Sequence, residues 1–295
     1  MKVEVKKMDG IKRVLKIEVH GDAFFKERDK AYSAIGKDLK TPGFRPGSAP
    51  IDVLIKHHGS ILTEKFLDEA LPKYYQEALE AEKIMPAGYP RIYDVQMGLN
   101  GLTFFVELEA RPEFELKVQQ YRGMKIDEPM PVVKDDEVQK VLDNLKSQIA
   151  KVMARDITEP QIAGWAGYAG TADLRAALGS EIMTEKLRVR RDKIYGHLIE
   201  QLLKTFKLDI PQGAVERQHH ELVEREIYAL KMREVGDEDV EKYRKDIEEK
   251  LKPEARDQVK LFYILEAIAA KENIKSDKNV SETVLGYIMS QAEYK

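Results

Sequence analysis

The chain has 295 residues, enough for two or three domains; 34% are charged, 43% are hydrophobic, and the net charge is −3. It contains no cysteine, which excludes disulfides and thiol catalysis and fits a reducing, cytoplasmic compartment. No apolar run approaches the roughly 20 residues that a membrane-spanning helix needs, and the longest, Leu261 to Ala270, is broken by Glu266. The N-terminus alternates in polarity and lacks the apolar core of a signal peptide, so no membrane association is expected. Charge is unevenly spread. Residues 1–60 carry 13 Lys and Arg against 8 Asp and Glu, and the remaining 235 residues carry a balance of −8. A basic front end suits an anionic partner.

The first 20 residues read as two strands around an Asp9-Gly10 turn, with Leu15, Ile17 and Val19 on one face. Asp22 is placed to cap a helix reaching about Lys40. A loop rich in Gly and Pro follows, then a short helix from Pro50 to about Lys56. Gly59-Ser60 is expected to separate it from a longer helix that ends near Glu82. Residues 91–97 and 102–110 read as strands around Leu99-Asn100-Gly101, with Leu102, Phe104, Val106, Leu108 and Ala110 on one face. Residues 113–134, with Pro129 and Pro131, read as an extended linker carrying short strands. Asp135 is then placed to cap a helix whose stripe of Val138, Val141, Leu142, Leu145, Ile149 and Val152 keeps three-four spacing.

Residues 157–170 form a short connector rich in Gly and Ala that contains Trp165 and Tyr168. Everything from Thr171 onward reads as helical. Residues 171–206 make one helix, or two joined near Gly179. Pro211 starts a helix to about Val235, stopped by Gly236. Asp237 starts the next, to about Lys250, and Pro253 opens another, to Asn273. Ser276 or Asp277 begins the last. The fold class is therefore an α+β N-terminal domain followed by an extended all-α domain with arms.

The stretch from Gly43 to Pro50 holds the clearest functional signal. Gly43 and Gly47 supply backbone freedom, and Pro42, Pro46 and Pro50 stiffen the path. An exposed ring on a loop gains nothing from a core, whereas Phe44 beside Arg45 suits docking. The ring can fill a pocket, and the guanidinium can pair with phosphate or carboxylate. The plainer reading is a tight turn whose Phe folds back on its own domain.

The pattern Gly43-Phe44-Arg45-x-Gly47-x-x-Pro50, between two helical segments, resembles the ribosome-docking loop of the trigger factor family. These are bacterial chaperones that meet nascent chains at the exit of the ribosomal tunnel. Glu82 to Gly88 resembles the family's helix-to-strand junction. Val106 to Leu116 resembles the strand that leaves its N-terminal domain. The likeness covers about the first 155 residues, with a weaker helical match from about 171 onward. Ser48 stands where many members carry Lys, which leaves this loop one cation fewer.

The resemblance implies a division into residues 1–112, which bind the ribosome, and 113–156, a linker with a long helix. Residues 157–170 would be a connector and 171–295 a helical client-binding domain. In the family an isomerase domain of the FKBP type follows the long helix. Fourteen residues cannot supply the roughly 80–100 that such a domain needs, so no isomerase activity is expected. The chain also ends several helices earlier than the family pattern.

Other chemistry is sparse. His220 and Glu224 lie one helical turn apart, but a zinc site needs a third ligand and none stands at a recognised spacing. No phosphate-binding loop or nucleophile elbow is present. Neither metal nor cofactor is expected. Tyr228, Met232, Phe262, Tyr263, Tyr287 and Met289 mix aromatic and flexible apolar groups. Most such residues pack helices together; those left exposed suit varied apolar clients. The expected partners are the ribosome, through its protein and rRNA at the tunnel exit, and unfolded or nascent polypeptides. A homodimer is also open. The expected activity is ATP-independent shielding of those chains. The alternatives are a prolyl isomerase of the trigger factor type and a ribosome- or RNA-associated factor without client binding.

Overall fold

The computed structural model describes residues 1–45, 47–98, 101–233, 235–275 and 279–294. In chain order these form β1 (Lys2–Lys7), β2 (Lys12–Val19), α1 (Asp22–Ile35), α2 (Ile51–Glu82), β3 (Arg91–Gly98) and β4 (Gly101–Glu109). Then come β5 (Lys125–Ile126), α3 (Asp135–Met153), α4 (Glu159–Trp165), α5 (Thr171–Thr205), α6 (Gln212–Met232), α7 (Asp237–Lys271), α8 (Val280–Ser290) and β6 (Glu293–Tyr294). They group into two compact units. One holds Met1–Phe114 with Leu208–Lys260, and the other holds Glu115–Lys207 with Leu261–Lys295.

In the first unit, strand alternation sets one apolar face of an antiparallel sheet of order β1-β2-β4-β3. Leu15, Ile17 and Val19 of β2 pair in register with Val106, Phe104 and Leu102 of β4. These six side chains are buried in one cluster with Phe24, Tyr32, Leu62, Phe66, Ala70, Tyr74 and Ala78 from α1 and α2. Fully burying a side chain of Phe or Leu size contributes about 1.5–3 kcal/mol, so this cluster is the main source of the unit's stability.

The helix-to-strand junction is stitched into the sheet. The Ala87 amide donates to the Glu109 carbonyl at 2.8 Å, and the Arg111 amide to the Met85 carbonyl at 2.8 Å. The Glu109 side chain then accepts the amides of Gln212 at 3.1 Å and Gly213 at 3.0 Å. It serves free N–H groups at the start of α6, where a negative charge also suits the helix dipole. From there α6 and the first part of α7 bury Val223, Ile227 and Val240, with Leu230, Val235, Ile247 and Leu251 packed around them.

In the second unit, α3, α4 and α5 bury Val138, Leu142, Ile157, Ile162, Ala163, Leu174 and Leu178. Glu159 ties them together. It accepts from Lys146 at 2.8 Å and from Arg175 at 3.0 Å, and the Lys146 contact leads in holding its carboxyl below the usual range. Further buried residues come from α5 (Ile194, Leu198, Leu202), the end of α7 (Ile264, Leu265, Ile268) and α8 (Val284, Leu285, Ile288).

Several expectations need correction. The expected break near Gly59-Ser60 falls one residue earlier, at the non-helical His58 (φ −133°, ψ 18°), where two helical segments meet within α2. Helix α1 stops at Ile35 and gives way to a 3-10 turn, Gly36–Asp38. Pro253 opens no helix, because α7 runs through it. The ring is exposed, so water can serve the carbonyl that loses its partner, while Leu251, Ala255 and Val259 hold the helix on the packed side. Residues 113–134 carry one short strand and are partly packed. Tyr121, Met124 and Ile126 are buried, and β5 pairs in parallel with β6. Lys134, not Asp135, precedes the first turn of α3, and the Glu137 carboxylate accepts its amide at 2.9 Å. The connector itself contains α4. Pro46, the Leu99-Asn100 part of the strand turn, and Ser276 and Asp277 lie outside the described residues.

Candidate functional site

The Phe-Arg loop joins α1 to α2, and both of its ends are pinned to the core. Leu39, Ala49 and Ile51 pack against the main cluster, and Leu54 is buried in it. Gly36 permits the closest approach. A Cβ there would lie 2.4 Å from Leu54 Cδ1, so only glycine lets the end of α1 meet the first turn of α2 this closely.

Between these pins the backbone makes two successive turns. The Phe44 amide donates to the Thr41 carbonyl at 3.1 Å, and the Ser48 amide to the Arg45 carbonyl at 3.0 Å. The Ser48 hydroxyl donates to that same carbonyl at 2.6 Å. Gly43 and Gly47 hold φ of 83° and 81°, which L side chains rarely adopt. The four residues singled out from sequence, Gly43, Phe44, Arg45 and Gly47, thus stand on two successive turns, and all are exposed. Phe44 is 41% accessible and does not fold back into the core. Among the described residues the Arg45 guanidinium has no hydrogen bond or ion pair. Lys37, Lys40 and Lys56 on the flanking segments are exposed, against Asp38 and Asp52. The site offers an apolar ring beside an unneutralised cation.

The six residues proposed to meet clients separate. In the first unit Tyr228 and Met232, four apart on α6, are 65% and 69% exposed and share a helix face. In the second unit Phe262 is exposed, while Tyr263 is buried and acts as core. Tyr287 and Met289 are half-buried. Tyr287 is engaged in a polar cluster that sequence did not reveal. Glu272 accepts from the hydroxyls of Tyr121 and Tyr287, the latter at 2.8 Å, and from Arg122. These bonds, Tyr121 first, hold the Glu272 carboxyl below its usual range. Burial, then Glu272, pushes the Tyr121 phenol up to about 12. This cluster fastens the segment after the sheet domain and is structural. Sequence reasoning also passed over Tyr243 on α7, which is exposed. Its signal was an aromatic among the charged residues of a helix.

Among the described residues no group of three or more His, Asp or Glu is arranged to hold a metal. No helix there is long and apolar enough to cross a membrane. The fold thus combines a sheet-backed domain that displays the exposed Phe44-Arg45 loop with helices that leave aromatic and methionine side chains in solvent.

Comparison with known proteins identifies the family. Residues 1–145 match the model of the bacterial trigger factor protein, and residues 171–293 match the model of its C-terminus. The chain belongs to the trigger factor family. It is 33% identical over 157 residues to a trigger factor of Tolumonas auensis, covering 53% of this chain and 36% of that protein. It is 25% identical over 312 aligned positions to one from Clostridium botulinum, covering 96% of this chain and 72% of that protein. A solved trigger factor chaperone structure, described for promiscuous substrate recognition, shares the fold with a TM-score of 0.53 at 12% identity. The match covers 98% of this chain and 94% of that one.

Proposed function

We propose that this chain is a chaperone that docks on the ribosome through Phe44 and Arg45 and shields unfolded or nascent chains without ATP. Membership of the family supports the chaperone class. The single observation that supports docking is the loop itself. A large ring and an unpaired cation stand side by side in solvent on a backbone fixed by two turns and two core-pinned ends. Pre-organisation of this kind lowers the ordering cost of binding.

The roles follow the chain. Residues 1–112 dock, residues 113–156 connect, and exposed side chains of residues 171–295, led by Tyr228, Met232 and Phe262, meet clients through weak, broad apolar contacts. Residues 157–170 hold a seven-residue helix, Glu159–Trp165, and no isomerase step is assigned to them in this reading.

Cosedimentation with ribosomes tests the reading. Replacing Phe44 and Arg45 by Ala should leave the fold intact and weaken binding by about 2 kcal/mol or more per anchor. Binding of the parent should also fall with added salt. A double variant that cosediments like the parent refutes docking through this loop.

A further inference from the structure

Ser48 has no part in the docking described above. Its side chain is exposed and lies outside any helix or strand. The hydroxyl donates to the Arg45 carbonyl at 2.6 Å, and its oxygen accepts no hydrogen bond among the described residues. The chain reads Arg45-Pro46-Gly47-Ser48, with a cation three residues before the hydroxyl.

Two cations share this part of the loop. Arg45 stands across one turn from Ser48, closed by the Ser48 amide at 3.0 Å. Lys37, from the turn after α1, lays its stem against the residue before Ser48. A Cβ added at Gly47 would lie 3.7 Å from Lys37 Cγ. Among the described residues neither cation has a hydrogen bond or ion pair. Asp38 and Asp52, the nearest acidic residues in the chain, are exposed and make no ion pair there either.

The other exposed Ser or Thr outside a helix or strand, among the described residues, is Thr158, and it differs on each point. Its hydroxyl donates to Gln161 at 3.1 Å at the start of α4, and it stands between Asp156 and Glu159. Arg155, three residues before it, lies over the Trp165 ring at 5.9 Å. A phosphate on Thr158 would meet carboxylates. On Ser48 it would meet two unpaired cations, which suit charge-assisted hydrogen bonds to its oxygens.

We propose that Ser48 is a phosphorylation site, and that its phosphate, held by Arg45 and Lys37, switches off docking. The inference rests on the docking reading and adds its regulation. In the step, a protein kinase brings Ser48 Oγ to the terminal phosphorus of a nucleoside triphosphate. The new O–P bond replaces the bond to the departing nucleoside diphosphate, and the hydroxyl proton passes to the base of the kinase. The product adds about two negative charges at neutral pH. It occupies the guanidinium that docking uses and turns an anion toward a phosphate-rich partner.

Two measurements test this. In the first, the full chain is isolated from its own cells, growing and stationary, and digested with trypsin. The fragment 41–56 contains one serine, and fragmentation separates it from Thr41. Phosphate on Ser48 in at least one state is expected, and its absence from both overturns the site. In the second, phosphoserine is installed at position 48 of the intact chain during synthesis. It should cosediment with ribosomes about tenfold more weakly than the parent and recover after phosphatase, whereas Ser48→Ala should bind like the parent. The phosphorus resonance should titrate below the ordinary value of about 6 and move back toward it in Lys37→Ala, which circular dichroism should show folded. Undiminished cosedimentation, or a titration that Lys37→Ala leaves unchanged, overturns the switch while the docking reading stands. A parent that does not bind ribosomes overturns both.

Discussion

The sheet domain and the α6–α7 pair are fastened together through Glu109, yet they are built to different specifications. The sheet domain buries Leu15, Ile17, Leu62, Leu102, Phe104 and Val106 completely in one cluster. The helical pair closes around Val223, Ile227 and Val240 and leaves Tyr228, Met232 and Tyr243 in solvent. The difference bears on the proposed division of tasks. Docking through a fixed geometry would need an over-determined scaffold, and the Phe44-Arg45 loop does sit between helices anchored in the larger core. Broad apolar recognition would need surface that the fold does not consume, and the two-helix core leaves such surface in solvent.

The largest effect that can break this comparison is on stability. Phe104→Ala should cost about 3–5 kcal/mol and lower the main urea transition, because it opens a cavity at the centre of the sheet core. Ile227→Ala should act locally, loosening α6 and α7 in hydrogen exchange while shifting the main transition by less than half as much. Equal shifts in the main transition would show that the pair is no satellite of the larger core.

A middle-sized effect sharpens it. Tyr228→Ser with Met232→Ser should leave stability within about 0.5 kcal/mol, since both side chains are exposed. It should nevertheless reduce, by about tenfold, the protection of a diluted unfolded protein followed by light scattering. Undiminished protection would remove α6 from the holding surface.

The smallest effect concerns pH. Glu272 is depressed in the folded state, so its contribution is present above the ordinary carboxylate pKa and is lost as pH falls through the lower folded value. Between about pH 5 and pH 3 the segment carrying Tyr121 and Arg122 should loosen, and Glu272→Gln should flatten that part of the acid dependence of the urea midpoint. An unchanged acid limb would mean that the cluster does not fasten the segment.

Much of this was legible in the chain. Alternation in β2 and β4 names the sheet face residue by residue, and glycine and proline spacing marks the loop, because these signals are local. What periodicity cannot say is what covers an apolar face. Arguments from spacing therefore fail at the end of α3, where Leu142 and Val152 share a stripe yet one is buried and the other is in solvent. Tyr263 and Tyr228 read alike in sequence and lie on opposite sides of that divide. Pro253 misled because the rule for proline ignores an exposed ring on a helix held from its other face. The packing of Tyr121 depends on Glu272, 151 residues away, which no local pattern encodes.

Hydrogen exchange of the intact chain, alone, with ribosomes and with an unfolded polypeptide, tests the division of labour most directly. The account predicts two separate footprints. Ribosomes should slow exchange at residues 41–48 and leave 222–232 unchanged, and the polypeptide should do the reverse. One shared footprint, or no protection of 41–48 by ribosomes, would contradict it.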